Sequence, residues 1–82
     1  NMSYIYKIFN DIKISNIGQT RGSVESRLKE HLYDARVNKD NNKFHKAIRE
    51  LGSDHFSISI IEECPTEHLN ERERFWIAHY DS

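Results

Sequence analysis

Hydrophobic and polar residues are arranged with a period of two in the first part of the chain, which is typical of strands. Residues 4–9 combine aromatic and β-branched side chains and predict a first strand. Asn10 and Asp11 favour a turn, and residues 12–17 predict a second strand, so the two form an antiparallel hairpin. Residues 18–22 contain two glycines and are predicted to be a loop.

After position 22 the apolar residues recur every three or four positions, which predicts helices. Ser23 is the predicted N-cap of the first helix, and the apolar stripe that follows it comprises Val24, Leu28, Leu32 and Ala35. Asn41 and Asn42 open a second helix that Gly52 ends. The apolar residues of this second helix are Phe44, Ala47, Ile48 and Leu51.

The last third of the chain predicts one strand and one helix. Residues 56–61 alternate, so Phe56, Ile58 and Ile60 are expected to face inward. Pro65 and Thr66 end the strand and begin a helix that is expected to bury Leu69, Trp76, Ile77 and Tyr80. The predicted order is β-β-α-α-β-α, a small α/β fold with three strands and three helices.

A length of 82 residues predicts a single domain, over residues 2–82. Asn1 precedes Met2 and is interpreted as an expression remnant, and the domain is expected to be part of a longer protein. The sequence has no apolar run near 18 residues and no basic-then-apolar leader, so it predicts neither a membrane span nor a secretory signal. Cys64 is the single cysteine, so no internal disulfide forms, and it is interpreted as a packed small side chain.

The formal net charge is −1, but the charges are unevenly distributed. Residues 1–50 contain ten basic and six acidic side chains, whereas residues 51–82 contain two and seven. The basic part favours a surface that faces phosphates, and an ordinary solvated surface is the alternative interpretation. Histidine and cysteine spacings do not match those of zinc sites.

Glu73 is the first candidate functional residue, because its neighbours at helical spacing are the apolar residues of the last helix. A buried carboxylate needs a partner, which is either a metal ion or an arginine at the edge of the stripe. Arg27 and His31 share a face of the first helix and together suit a phosphate, with His31 expected to titrate near pH 7. A solvated helix face is the alternative. Tyr4 and Tyr6 point to one face of the first strand.

Six short motifs, taken in their order along the chain, resemble those of the GIY-YIG endonuclease superfamily. Residues 4–6 (Tyr-Ile-Tyr) and 16–18 (Asn-Ile-Gly) resemble the paired signature, and Arg27 with His31 resembles the helix motif. Residues 44–52 and 56–63 resemble the second helix and third strand, and residues 70–77 resemble the helix that carries the metal-binding glutamate. The resemblance implies a three-stranded antiparallel sheet flanked by three helices, and a domain that cleaves double-stranded DNA with one divalent metal ion.

The resemblance also implies roles for individual residues. Glu73 would hold Mg²⁺ or Mn²⁺, and Arg27 would neutralise charge on the phosphoryl oxygens. Tyr6 would accept a proton from the attacking water, orient that water or act as the nucleophile. His31 would be an auxiliary acid or base or a phosphate contact, and Gly18 would let the backbone turn tightly beside the site.

Two positions depart from the family pattern. Tyr4 replaces the first glycine, which is tolerable, and Asn16 replaces the tyrosine of the second motif. Asn16 cannot act as a base at neutral pH. Three hypotheses follow: an engineered inactivating change, a natural variant that relies on Tyr6 and His31, or a degenerate domain that binds without cutting.

The leading hypothesis is therefore a DNA endonuclease domain, and one hypothesis for this form is that Asn16 impairs its activity. The alternative is an inactive nucleic-acid-binding module with the same fold, and a third hypothesis is an interaction domain without a nucleic-acid role. The near-neutral charge implies further DNA-binding regions in the parent protein. An intracellular location, and a phage, viral or low-GC bacterial origin, are expected.

Overall fold

The computed structural model describes residues 1–12, 14–38 and 41–81 of the chain. Its elements are β1 (Met2–Phe9), β2 (Ile14–Thr20), α1 (Val24–Val37), α2 (Lys43–Leu51), β3 (Ser57–Pro65) and α3 (Leu69–Asp81). Short 3₁₀ turns at Ser53–His55 and Thr66–His68 precede β3 and α3. The predicted order β-β-α-α-β-α is confirmed.

The sheet has the strand order β2-β1-β3, and both strand pairs are antiparallel. Since β1 is central and its side chains alternate, Ile5 and Tyr6 point to opposite faces of the sheet. One face packs on α1 and α2, and its buried residues are Tyr6, Ile8, Val24, Ala35, Phe44, Ile48 and Phe56. The other face packs on α3, and its buried residues are Ile5, Cys64 and Leu69. The sheet is therefore the middle layer of three.

The predicted start of α1 and both predicted ends of α2 are confirmed by their caps, whereas Thr66 begins a 3₁₀ turn and α3 itself begins at Leu69. Ser23 Oγ accepts a hydrogen bond from the backbone N–H of Ser26 at 3.0 Å, which begins α1. The side chain of Asn42 accepts from two backbone N–H groups in the first turn of α2. Gly52 follows α2 with φ +95°, a backbone angle that glycine adopts without strain.

Ile60 lies on the predicted face of the sheet, opposite Tyr6, but the prediction that it is buried there is wrong, because its side chain is 51% exposed. The pairing of β1 with β3 shifts by one residue between Ile5 and Tyr6, so Ile5 pairs with Glu62 while Tyr6 pairs with Ile60. This bulge inserts Ile61 as an extra residue, and Ile61 packs with the cluster on the α3 side. Ile60 stays exposed because β3 is an edge strand and no helix covers its side chain there.

The burial predicted for α3 is confirmed for Leu69 and only in part for the rest. Leu69 is buried and Trp76 is half-buried, whereas Ile77 and Tyr80 are 41% and 38% exposed. The most buried side of α3 is formed by positions 69, 72, 73 and 76, so Ile77 and Tyr80 lie at its margin, where the Tyr80 ring lies 5.8 Å from Nζ of Lys7 in β1. Leu51, at the end of α2, is also exposed. In the described part of the chain, no helix is long and apolar enough to cross a membrane.

Candidate active site

The Tyr6 phenol lies across the edge strand β2 at Gly18. Tyr6 and Gly18 are paired residues of the β1–β2 ladder, so they share a face of the sheet. A Cβ atom at position 18 would lie 2.5 Å from Cζ of Tyr6, far inside van der Waals contact. Gly18 is a residue of β2, so the prediction that it lies in a loop and lets the backbone turn tightly is wrong. Its function in the fold is to leave room for the phenol.

The phenol oxygen of Tyr6 is bonded by two side chains of α1. Arg27 Nε donates to it at 3.2 Å, and Nε2 of His31 lies 3.1 Å from it in a buried contact. Arg27 and His31 reach the same atom because they are one helical turn apart. Arg27 Nη1 also lies 3.4 Å from the exposed Glu30, a long surface ion pair that contributes little. The predicted association of Tyr6, Arg27 and His31 is present in the structure.

His31 differs from the expected group that titrates near pH 7. Burial, the positive charge of Arg27 and the neighbouring His45 together lower its pKa to about 4, against the weaker opposite effect of Asp34. At neutral pH its imidazole is therefore uncharged. His31 interacts with Tyr6 as a hydrogen-bonding group and not as a cation.

Glu73 lies on the other face of the sheet, on the side of α3 that packs on β2. Its Oε1 accepts a hydrogen bond from Nε2 of Gln19 at 2.7 Å, and the same amide donates to Oδ1 of Asn70 at 2.8 Å. Gln19 follows Gly18 in β2 and points to the α3 side. Among the described residues no basic side chain forms an ion pair with Glu73, so the alternative of an arginine partner is not found there.

The two halves of the site lie on either side of one peptide unit of β2. The phenol of Tyr6 covers Gly18 on one face, and Gln19 holds Glu73 on the other. The charge of Glu73 acts on the phenol across this thin edge. Burial raises the pKa of Tyr6, the Arg27 guanidinium lowers it, and the negative charges of Glu73 and Glu30 raise it. Glu73 and Arg27 lie on opposite faces of the sheet at this edge, and the charge of each acts on the Tyr6 hydroxyl.

Asn16 and Tyr4 lie on the same face of the sheet as Tyr6. Asn16 pairs with Ile8, two residue pairs beyond the Tyr6–Gly18 pair and so on the same face, and it is half-buried. Tyr4 pairs with Thr20 and packs against the core on the α1 side. A tyrosine at position 16 would therefore present its phenol on the face that carries Tyr6, Arg27 and His31.

Three residues of the site were missed by the sequence analysis: Gln19, His45 and Asn70. His45 Nε2 lies 3.1 Å from Nδ1 of His31. A histidine inside the Phe44–Ala47–Ile48 pattern of α2 was a signal that it faces the core. Gln19 and Asn70 had no such signal, because Asn and Gln are common at exposed positions of strands and helices.

The donor set around Glu73 consists of oxygen atoms. It comprises the carboxylate of Glu73 and the amide oxygen of Asn70, and oxygen ligands are those that Mg²⁺ and Mn²⁺ prefer. Within the described residues no group of three or more His, Cys, Asp and Glu side chains could hold a metal ion. The residues present fit an ion that keeps most of its water ligands, as Mg²⁺ usually does.

Comparison with known proteins identifies the family of this chain. The family model of the GIY-YIG catalytic domain matches residues 2–82, and the chain belongs to this family of endonuclease domains. Within the family, it is similar to the solved catalytic domain of homing endonuclease I-TevI, with 30% identity and a TM-score of 0.79 over 98% of this chain and 89% of that one. A glutamate-to-alanine mutant of the catalytic domain of intron endonuclease I-TevI is 29% identical, with a TM-score of 0.81 over 100% and 87%. No curated protein sequence matches the chain.

Proposed function

We propose that this domain hydrolyses phosphodiester bonds of double-stranded DNA with one Mg²⁺ or Mn²⁺ ion. Membership of a family of endonuclease domains supports the reaction class. The observation that carries the proposal is the arrangement around the Tyr6 hydroxyl: Arg27 and His31 bond it, and the charge of Glu73, which has no basic partner among the described residues, acts on it across the edge of the sheet. GIY-YIG nucleases are generally dependent on divalent metal ions and act on DNA.

Glu73 would hold the metal ion, and Gln19 would orient the carboxylate through its hydrogen bond. When bound, the ion polarises the phosphate and stabilises the leaving 3′ oxygen. Arg27 binds the phosphate with the part of its guanidinium that does not contact Tyr6, and it neutralises the charge that develops on the phosphoryl oxygens.

Tyr6 accepts a proton from the attacking water, and His31 assists as the neighbouring acid or base. The phenol is protonated at neutral pH because its pKa is raised, so it does not act as a base by itself. It can instead transfer a proton from the water to a second acceptor. It can accept a proton only while it passes its own proton on. His31 is placed to receive that proton, because its low pKa leaves a ring nitrogen unprotonated.

Asn16 favours a second candidate function, which is nucleic-acid binding without cleavage. Asn16 lies on the face of Tyr6 and supplies an amide where the family has a phenol. A binding module would show salt-dependent affinity for DNA that Glu73→Ala does not change. A catalytic domain would lose metal affinity on the same substitution.

The deciding experiment is a nicking assay on supercoiled plasmid with Mg²⁺ or Mn²⁺. It compares this chain with Asn16→Tyr and with Glu73→Ala. We expect Asn16→Tyr to cut faster than this chain and Glu73→Ala to abolish cutting. If a folded Asn16→Tyr protein cuts no DNA in either metal, the enzymatic proposal is wrong.

We also infer that regions of the parent protein outside this domain supply much of the affinity for DNA. The net charge of −1 supports this, because affinity for DNA depends mainly on neutralising phosphates with basic side chains. A filter-binding titration at several salt concentrations measures how steeply the affinity for DNA falls with salt, which reports the number of phosphates that the domain neutralises. A steep slope for the isolated domain would contradict this inference.

A further inference from the structure

The imidazole of His31 is bonded at both ring nitrogens. Nε2 lies 3.1 Å from the Tyr6 hydroxyl, and Nδ1 lies 3.1 Å from Nε2 of His45 on α2. Both histidines are buried, with 9% and 7% of their surface exposed. A neutral imidazole has one donor and one acceptor nitrogen. The direction of the His31–His45 bond therefore decides which nitrogen of His31 can accept a proton from Tyr6.

The donors and acceptors around these hydrogen bonds favour one direction for the His31–His45 bond. Arg27 and Asp34 act on His31 from its own helix, His45 acts from α2, and Tyr6 acts from β1. Arg27 can only donate, so it occupies the phenol oxygen as a donor and cannot take the phenol proton. Of the two groups bonded to the Tyr6 hydroxyl, only His31 can accept that proton. This requires the hydrogen of His31 to be on Nδ1, directed at His45.

We propose that His45 is a positioning residue of the reaction: it accepts the Nδ1–H bond of His31 and so directs the lone pair of Nε2 at the Tyr6 hydroxyl. This inference rests on the proposed function. It extends that function to a buried residue of α2. Phe44 packs edge-on against the His31 ring at 5.2 Å and Tyr6 edge-on at 6.4 Å, which further restricts the ring.

The proton transfers balance in this arrangement. The attacking water gives one proton to the Tyr6 oxygen while Tyr6 gives its own proton to Nε2 of His31. The resulting hydroxide forms the new P–O bond as the bond from phosphorus to the 3′ oxygen breaks. His31, now an imidazolium, keeps its Nδ1–H bond to His45 and returns the proton through solvent to the 3′ oxygen.

The direct test is a long-range ¹H–¹⁵N NMR correlation of the histidine rings in the metal-free protein. We expect His31 in this chain to carry its hydrogen on Nδ1. His45→Gln keeps an acceptor for this hydrogen and should retain that tautomer, whereas His45→Leu should shift His31 towards Nε2–H. Cleavage should fall at least about tenfold in His45→Leu and stay within about threefold in His45→Gln. His68→Gln, at an exposed histidine, is the matched control.

The outcomes separate the two proposals. If His31 carries its hydrogen on Nε2 in the unmodified chain, the positioning role of His45 is wrong, whether or not His45→Leu folds. It is also wrong if folded His45→Leu keeps both the tautomer and the cleavage rate. If the chain cuts no DNA but shows the Nδ1–H tautomer, the proposed function fails while the structural assignment of His45 stands.

Discussion

Two glutamates lie between α3 and the sheet, and their surroundings differ. Oε1 of Glu62 accepts hydrogen bonds from Nε1 of Trp76 at 2.8 Å and from Nε of Arg72 at 2.9 Å. These two bonds lower the pKa of Glu62, that from Trp76 more than that from Arg72. Glu73 accepts a bond only from the neutral amide of Gln19 among the described residues.

The difference indicates which carboxylate stabilises the fold and which one is available to bind a cation. The charge of Glu62 is compensated inside the domain by the Arg72 guanidinium, so this cluster ties β3 to α3. The charge of Glu73 has no such partner in the described residues, although Arg72 is the next residue in the chain. An oriented but uncompensated carboxylate beside a phenol and a guanidinium suits a cation from outside the protein.

The largest effect is expected when the charge of Glu73 is removed. Glu73→Gln should reduce cleavage by at least about 1,000-fold, because metal ions supply several kcal/mol of transition-state stabilisation. Glu62→Gln is the matched control, and it should keep cleavage within a few-fold while lowering stability. Nicking rates and urea unfolding of both variants measure the contrast. Equal losses of cleavage in the two variants would contradict the distinction between the two glutamates.

The next effect concerns the pH dependence of stability on the Tyr6 side of the sheet. The pKa of His31 is about 4 in the folded domain, below its ordinary value of 6.5. The unfolded chain therefore binds more protons in this range, and stability falls by up to about 3 kcal/mol as the pH falls from 6.5 to 4. His31→Gln should flatten the curve in that window. Urea unfolding at a series of pH values is the measurement, and an unchanged slope would contradict the low pKa.

A smaller effect is expected at Gly18. Gly18→Ala places a methyl group against the Tyr6 ring and should destabilise the domain by about 1–3 kcal/mol. It should also reduce cleavage, because the phenol must move away from Arg27 and His31. Gly22→Ala is the control, since its Cβ meets only Thr20 Oγ1 at 3.9 Å. Urea midpoints of the two variants make the comparison, and equal midpoints would rule out the packing explanation.

The smallest effect is expected in the Glu62 cluster. Trp76→Phe removes one hydrogen bond to the carboxylate and should cost about 1–2 kcal/mol above pH 5. The folded pKa of Glu62 is lowered, so its contribution is present above the ordinary value of 4.5 and is lost as the pH falls through the folded pKa. The variant and the unmodified chain should thus converge in stability well below pH 4.5. Thermal unfolding between pH 2 and 7 tests this, and a pH-independent difference would contradict it.

The order of elements and the helix caps could be predicted, since each depends on local spacing, whereas the association of Tyr6 with Arg27 and His31, 21 and 25 positions away, followed only from the family resemblance. Ser23, Asn42 and Gly52 act on the backbone within a few residues of themselves, so a short pattern suffices to identify them. The burial predicted for Ile60 failed because β3 is an edge strand and no helix covers the side chain there, and a two-residue period does not show which strand lies at an edge.

The rest of the site depended on contacts between residues that are far apart in the chain. Gln19 and Glu73 are 54 positions apart, and His31 and His45 are 14 apart on different helices. Local pattern identified Glu73 as a carboxylate on the side of α3 that faces the sheet, but only packing placed Arg72 on Glu62 and the amide of Gln19 on Glu73. Likewise, Gly18 was recognisable as a glycine of a motif, but its purpose became visible only opposite the ring of Tyr6. Backbone preferences act over a few residues, whereas hydrogen-bond partners, burial and pKa values depend on which surfaces the fold brings together.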